Sequence, residues 1–281
     1  MAAVPARVSF LDRVAVVHDI SGPRVRLAVL WSGAVVVALL VGPAALALVF
    51  GATAAIGSLQ VAARWRQAGE PANQPLAAIG AALIVAASLL GNSWCGLAIL
   101  AFAVVALVFP EGFDPAQVTI DDEEVTTTGR LRRGLDHAAN TLGPGLAMGL
   151  AGAAVIQTAR VESMAFLFLF LAVSTYDAGD FLCGAGYDTR IGGPLAGVLG
   201  VVVVTVVLFV AEPPPFRGAE TLWAGGVLAV ACPLGQWLAS WLLPTARAKA
   251  PGLRRLDSWI ISAPSFLVVL WLIDRRPLVL R

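Results

Sequence analysis

The stretch IGGPLAGVLGVVVVTVVLFVA, from Ile191 to Ala211, contains no charged side chain. About 20 consecutive apolar residues are enough for a helix to cross the hydrocarbon core of a bilayer. Runs of this kind recur along a chain in which 58% of residues are hydrophobic and 13% are charged. The sequence therefore predicts an all-α, polytopic integral membrane protein.

The apolar runs predict about nine transmembrane helices. They lie at 27–41, 43–63, 76–91, 93–110, 140–157, 163–180, 191–211, 222–243 and 258–274. The stretch 25–63 is broken only by Arg26 and by Gly42-Pro43, so it fits either two short crossings or a re-entrant pair.

Basic residues predict the orientation and the division of the chain. With the N-terminus inside, fourteen of the 19 Lys and Arg residues fall on the cytoplasmic side, where such residues collect. We expect a cytoplasmic or interfacial segment at 1–23, one transmembrane domain at 24–274 and a C-terminal tail at 275–281. A cytoplasmic loop is expected at 111–139, and it contains an acidic run. This run indicates either a solvated surface or a contact with cations or lipid headgroups. A bacterial cytoplasmic membrane is the expected location.

Two carboxylates follow the apolar run that starts at Met164. Asp177 and Asp180 stand in the sequence YDAGDFLCG, residues 176–184. A charge in or near a bilayer is tolerated when it faces a cavity, a partner or an ion. On a helix, Asp177, Asp180 and Gly184 share one face. The spacing predicts a cation that bridges to a phosphate, and a structural ion pair with Arg190 is the alternative.

Two separate stretches then resemble one enzyme family. The first runs from Asp177 through Gly184 to GPLAGVLG at 193–200, and the second comprises GQWLAS at 235–240 and PGLRRLDS at 251–258, with Ala263-Pro264 after it. In order and spacing they resemble the phosphatidate cytidylyltransferase (CDP-diacylglycerol synthase) family. That family joins CTP to phosphatidate, giving CDP-diacylglycerol and pyrophosphate.

The resemblance implies roles for particular residues. Asp177, Asp257 and Arg255 are expected to be catalytic, and Asp177, Asp180 and Asp257 to hold Mg²⁺. The expected substrate-binding residues share a basic or hydroxyl side chain: Arg190, Arg247, Lys249, Arg254 and Ser240. The implied partners are CTP and phosphatidate or another anionic membrane lipid, with a homodimer possible. The net charge of +1 gives no indication of nucleic-acid binding.

The chain departs from the family pattern at several charged positions. The family's Lys, Thr and Glu of the first signature fall on Gly193, Pro194 and Ala196. The Asp and Glu of the second fall on Gln236 and Ala239. Two further hypotheses therefore stay open: an inactive relative that binds lipid or acts as a scaffold subunit, and a transporter or channel in which Asp177 and Asp180 relay ions.

Overall fold

In the computed structural model, the described residues are 24–109, 127–184, 191–245 and 248–274, and they form helices joined by turns. The all-α prediction is confirmed for this part of the chain. The helices are α1 (Arg24–Val41), α2 (Pro43–Gln67), α3 (Gln74–Ser88), α4 (Asn92–Val108), α5 (Thr127–Val161), α6 (Ser163–Gly184), α7 (Gly192–Ala211), α8 (Ala219–Trp241), α9 (Leu253–Leu256) and α10 (Trp259–Asp274).

The prediction of nine membrane spans is wrong in its count. Among the described residues, six candidate spans are long and apolar enough to cross a membrane, formed by α2, α5, α6, α7, α8 and the α9–α10 pair. The helices α1, α3 and α4 are apolar but shorter. At 1.5 Å per residue, the 15 residues of α3 extend only about 22 Å, whereas the hydrocarbon core is about 30 Å thick.

The helices α1 and α2 fold back on each other at Gly42. Its φ of 127° lies in the left-handed region, which glycine adopts without the steric cost of a side chain. The Trp31 indole N–H donates to Thr53 Oγ1 at 3.1 Å, and the two residues lie at equal sequence distance from Gly42. The stretch 25–63 is therefore a helical hairpin with one long and one short helix.

The long helix α5 runs through the middle of the bundle. It has 35 residues, includes Pro144, and packs against α2, α3, α4, α6 and α10. It begins at Thr127, so residues 127–139 are helical although we predicted a loop there. The polar first turns extend a helix whose apolar part begins later. The acidic run at 121–124 lies outside the described residues.

An aromatic cluster anchors the first turn of α10 in the core. Trp259 is 1% exposed. Its ring lies 5.3 Å from Phe50 and 6.2 Å from Trp31, centroid to centroid, in edge-to-face geometry. These contacts join α1, α2 and α10. Because Ser258 precedes Trp259 directly, they also fix the backbone where the polar residues of α9 and α10 stand.

The bundle has two chemically different ends. At one end of the bundle, α2, α6 and α8 finish and α3, α5, α7 and α9 begin. We call this end the polar end. At the opposite end, the Arg160 guanidinium donates to the carbonyl of Ser88 at 2.7 Å and so satisfies the last turn of α3. Exposed tryptophans stand near both ends, Trp223 on one side and Trp241 on the other. This is the arrangement found at the two interfaces of a membrane.

Candidate functional site

Asp177 and Ser258 join α6 to the start of α10. The Ser258 hydroxyl donates a short hydrogen bond to Asp177 Oδ1. Ser258 is completely buried, whereas Asp177 is partly exposed. The contact connects the two stretches of sequence that carry the family resemblance. Asp177 therefore combines a fixed orientation with partial exposure.

Asp257 and Arg254 form the second part of the polar end. An Arg254 guanidinium nitrogen lies 3.5 Å from Asp257 Oδ2, and Asp257 is 5% exposed. The other carboxylate oxygen of Asp257 accepts from the backbone N–H of Ser258 at 2.8 Å. The same guanidinium nitrogen lies 3.5 Å from Ser240 Oγ, at the end of α8. Arg255 follows Arg254 on the short helix α9.

Gln236 of α8 connects to the second aspartate of α6. Its side-chain N–H donates to Asp180 Oδ2 at 3.0 Å, and its Oε1 accepts from the Tyr176 hydroxyl at 2.9 Å. Asp180 is 2% exposed and Tyr176 is fully buried. Asp177 and Asp180 therefore face different neighbours, Ser258 directly before α10 and Gln236 on α8.

Glycines bring the helices of the polar end close together. A Cβ on Gly193 would lie 2.8 Å from the Asp180 carbonyl oxygen and 3.1 Å from the Cα of Gly184. The first turn of α7 thus lies against Asp180 and Gly184. A Cβ on Gly235 would lie 2.5 Å from the Asp257 carbonyl oxygen. Larger residues at Gly193 and Gly235 would separate the elements that carry the carboxylates.

The end of α2 holds the connection between α8 and α9, which the sequence did not predict. Three side chains of α2 bind main-chain atoms of this connection: the Trp65 indole N–H donates to Leu242 O at 2.8 Å, Arg64 Nε donates to Lys249 O at 2.8 Å, and Gln60 Oε1 accepts from Gly252 N–H at 2.8 Å. A Cβ on Gly252 would lie 2.8 Å from the Cα of Gly57. The glycine pair lets the two backbones meet directly before Arg254.

The structure brings most of the predicted site residues together. Hydrogen bonds or ion pairs connect those on α6, α8, α9 and the start of α10: Asp177, Asp180, Ser240, Arg254 and Asp257. The Lys249 side chain is exposed, and the hydrogen bond from Arg64 goes to the backbone carbonyl of Lys249. Arg190 and Arg247 lie outside the described residues, as does Asp188.

The carboxylates do not form a ready-made metal site by themselves. Within the described ranges, no group of three or more His, Cys, Asp or Glu side chains converges in a way that could hold a metal ion. Mg²⁺ is usually bound by one or two carboxylates together with substrate phosphates and water. A site of this second kind needs only one or two of the carboxylates present at the polar end.

The comparisons with known proteins give no relative. No protein-family model, no curated protein and no solved structure matches this chain.

Replacing Arg254 with Met is expected to destabilise the fold. The change leaves the buried Asp257 carboxylate without its guanidinium, and breaking a fully buried pair costs about 3–5 kcal/mol. Because the Arg254 side chain is 22% exposed, we expect a smaller loss, about 1–2 kcal/mol. Unfolding by SDS in mixed micelles measures it. The double variant with Asp257→Asn should recover stability, and equal loss in both variants would contradict the ion-pair explanation.

Proposed function

We propose that this chain is a membrane-embedded cytidylyltransferase-like protein that acts on CTP and an anionic lipid phosphate such as phosphatidate. The supporting observation is the hydrogen bond between Asp177 and Ser258, which stand 81 residues apart in sequence. It joins two stretches that independently resemble parts of one family's active site. Side chains from both stretches then continue through Asp257 and Arg254 to Ser240.

The site has more carboxylates than guanidinium groups, so it needs additional cations before it can bind two anionic substrates. Asp177, Asp180 and Asp257 stand against Arg254 and Arg255. Phosphate groups would bind at this site once additional cations offset the charge of the carboxylates. Lys249, exposed in the connection between α8 and α9, would supply part of that charge, and Mg²⁺ would be held by Asp177 and Asp257 together with phosphate oxygens. When bound, the metal ion neutralises phosphate charge.

The proposed chemistry needs positioning more than covalent participation by the protein. A phosphate oxygen of the lipid attacks the α-phosphorus of CTP. A new P–O bond forms, the bond from the α-phosphorus to the β-bridging oxygen breaks, and pyrophosphate leaves. Arg254 and Arg255 would hold the phosphates, and Ser240 would orient Arg254. Catalysis of phosphoryl-type transfer is mainly positioning and electrostatic stabilisation.

We propose that the polar end faces the cytoplasm, where CTP is present. Basic residues of the described chain are concentrated at or beside this end: Arg64, Arg66, Arg132, Arg133, Lys249, Arg254 and Arg255. The opposite end has Arg160 and Arg217. Cytoplasmic loops collect such residues. Labelling of Cys183, which is exposed at the end of α6, with a membrane-impermeant thiol reagent on intact and lysed cells tests the orientation.

A second candidate is a binding or scaffold subunit that has lost catalysis. It is favoured by the way protein groups already use the site: Gln236 binds Asp180, and Arg254 binds Asp257. Such pairing stabilises the helices without any ligand. A lipid headgroup would then meet Arg255 and Lys249 at the margin of the polar end.

The decisive experiment is a transfer assay with purified protein. Labelled CTP, phosphatidate in mixed micelles and Mg²⁺ are expected to give a labelled liponucleotide together with pyrophosphate. Omission of phosphatidate is the matched control and should remove the product. Binding of phosphatidate without any liponucleotide above the protein-free blank would replace the enzyme proposal with the binding subunit.

A further inference from the structure

Both polar atoms of the Gln236 side chain form hydrogen bonds at the polar end. Gln236 is 7% exposed. Its Oε1 accepts from Tyr176, its Nε2 donates to Asp180, and its backbone carbonyl accepts from Ser240 Oγ at 3.0 Å. One residue of α8 therefore contacts two residues of α6 and the serine that lies against Arg254.

Hydrogen-bond chemistry fixes which way this amide points. The NH₂ group of Gln236 faces Asp180, where a carboxylate oxygen accepts from it. The carbonyl end then faces Tyr176, whose hydroxyl must act as the donor. The orientations of Tyr176, Gln236 and Asp180 are therefore set together, and a change at Gln236 alters both residues of α6.

The same arrangement gives Asp177 and Asp180 different surroundings, and so different roles. Asp180 is buried against α8 and against the first turn of α7 at Gly193, where the positive end of the helix dipole favours a carboxylate. Asp177 lies less than one turn earlier and is partly exposed. Asp180, which is buried, is in a position to join helices. Asp177, which is partly exposed, is in a position to meet a ligand.

We propose that Gln236 is a positioning residue that holds Asp180 at the junction of α6, α7 and α8, so that Asp177 is the aspartate presented to the ligand. Its effect on catalysis rests on the proposed function, whereas the bonding pattern does not. This departs from the expectation that Asp177 and Asp180 both bind the metal.

An exchange of donor and acceptor tests the bonding pattern. Gln236→Glu sets two carboxylates against each other, and Asp180→Asn removes the acceptor charge. The double variant restores one amide donor and one carboxylate in exchanged positions, and the carboxylate that it places on α8 still accepts from Tyr176. Gln236→Glu should lower Tm by about 3–6 °C, Asp180→Asn should lower it less because the asparagine oxygen still accepts from Gln236, and the double variant should regain at least half of the loss of Gln236→Glu. Losses that simply add would overturn the proposal.

Tyrosine spectroscopy supplies a readout that overall stability does not determine. The sequence contains two tyrosines, so Tyr187→Phe leaves Tyr176 as the single reporter. In this background, ultraviolet resonance Raman should show Tyr176 as a hydrogen-bond donor, and Gln236→Leu should remove that signature. An unchanged signature in Gln236→Leu would contradict the proposed contact.

Kinetics separate this proposal from the proposed function. If transfer activity is absent, the exchange and the Raman measurement still decide the role of Gln236. If activity is present, Gln236→Leu should lower kcat about 10-fold and leave the KM for Mg²⁺ unchanged. Asp177→Asn should raise that KM. An equal rise of the Mg²⁺ KM in Gln236→Leu would show that Asp180 contacts the ligand directly and would overturn the division of roles.

Discussion

The Asp177→Asn variant is expected to lose at least about 100-fold in cytidylyl transfer, the range seen when one preorganised polar group at a reaction centre is removed. The asparagine keeps the shape and can still accept the hydrogen bond from Ser258, so the fold should remain. The negative charge that would bind Mg²⁺ is lost. Initial rates at several Mg²⁺ concentrations measure both the loss and the shift in metal requirement.

A matched exchange on an exposed aspartate controls for the loss of charge. Asp136 of α5 is exposed, and Asp136→Asn should leave the rate within about twofold of the parent, as expected for surface substitutions away from a site. Ser258→Ala removes the donor to Asp177 and should cost about 10-fold, as for residues that orient a ligand. Full activity in Asp177→Asn would remove Asp177 from the reaction centre.

Gly235→Ala is expected to destabilise the protein by forcing α8 away from the residues that precede α10. The added Cβ would lie 2.5 Å from the Asp257 carbonyl oxygen and 3.0 Å from that of Ser258. Both atoms belong to the backbone, so the start of α10 must move away from α8. Such overpacking costs about 1–3 kcal/mol and occasionally more. The midpoint of SDS unfolding in mixed micelles measures the loss.

The matched control for this substitution is Gly226→Ala, on the same helix. A Cβ at Gly226 would meet nothing within 4 Å. Alanine has a better helix propensity than glycine by up to about 1 kcal/mol, so this variant should be as stable as the parent or slightly more so. Equal destabilisation of both variants would mean that glycine at 235 is not required for the approach of α8 to Asp257.

The parts of the site that depend on residue type could be predicted from sequence. Asp177 and Asp257 are costly charges in an apolar chain, and their neighbourhoods resemble one family, which brought them into one predicted site. Gln236 was interpreted only as the loss of an acidic residue. Its contact with Asp180 depends on the packing of α8 against α6, which a single sequence does not show.

The contribution of α2 could not be predicted for a different reason. Gln60, Arg64 and Trp65 bind backbone atoms, so no particular residue type is required of their partners. The span count was wrong because hydropathy measures the apolar part of a helix and not its length. Thus α3 ends at Ser88, before it is long enough to cross, and α5 starts at Thr127, well before its apolar part.

The main-chain attachment of the α8–α9 connection has a consequence for the diversification of this protein. Because α2 binds main-chain groups of Leu242, Lys249 and Gly252, a substitution of the exposed Lys249 side chain changes the charge beside the site and leaves these hydrogen bonds in place. Under the proposed function, headgroup preference would therefore change through Lys249, while the spacing of Asp177, Arg254 and Asp257 is preserved. Libraries that vary Lys249 and keep Gly57 and Gly252 would then select new lipid specificities.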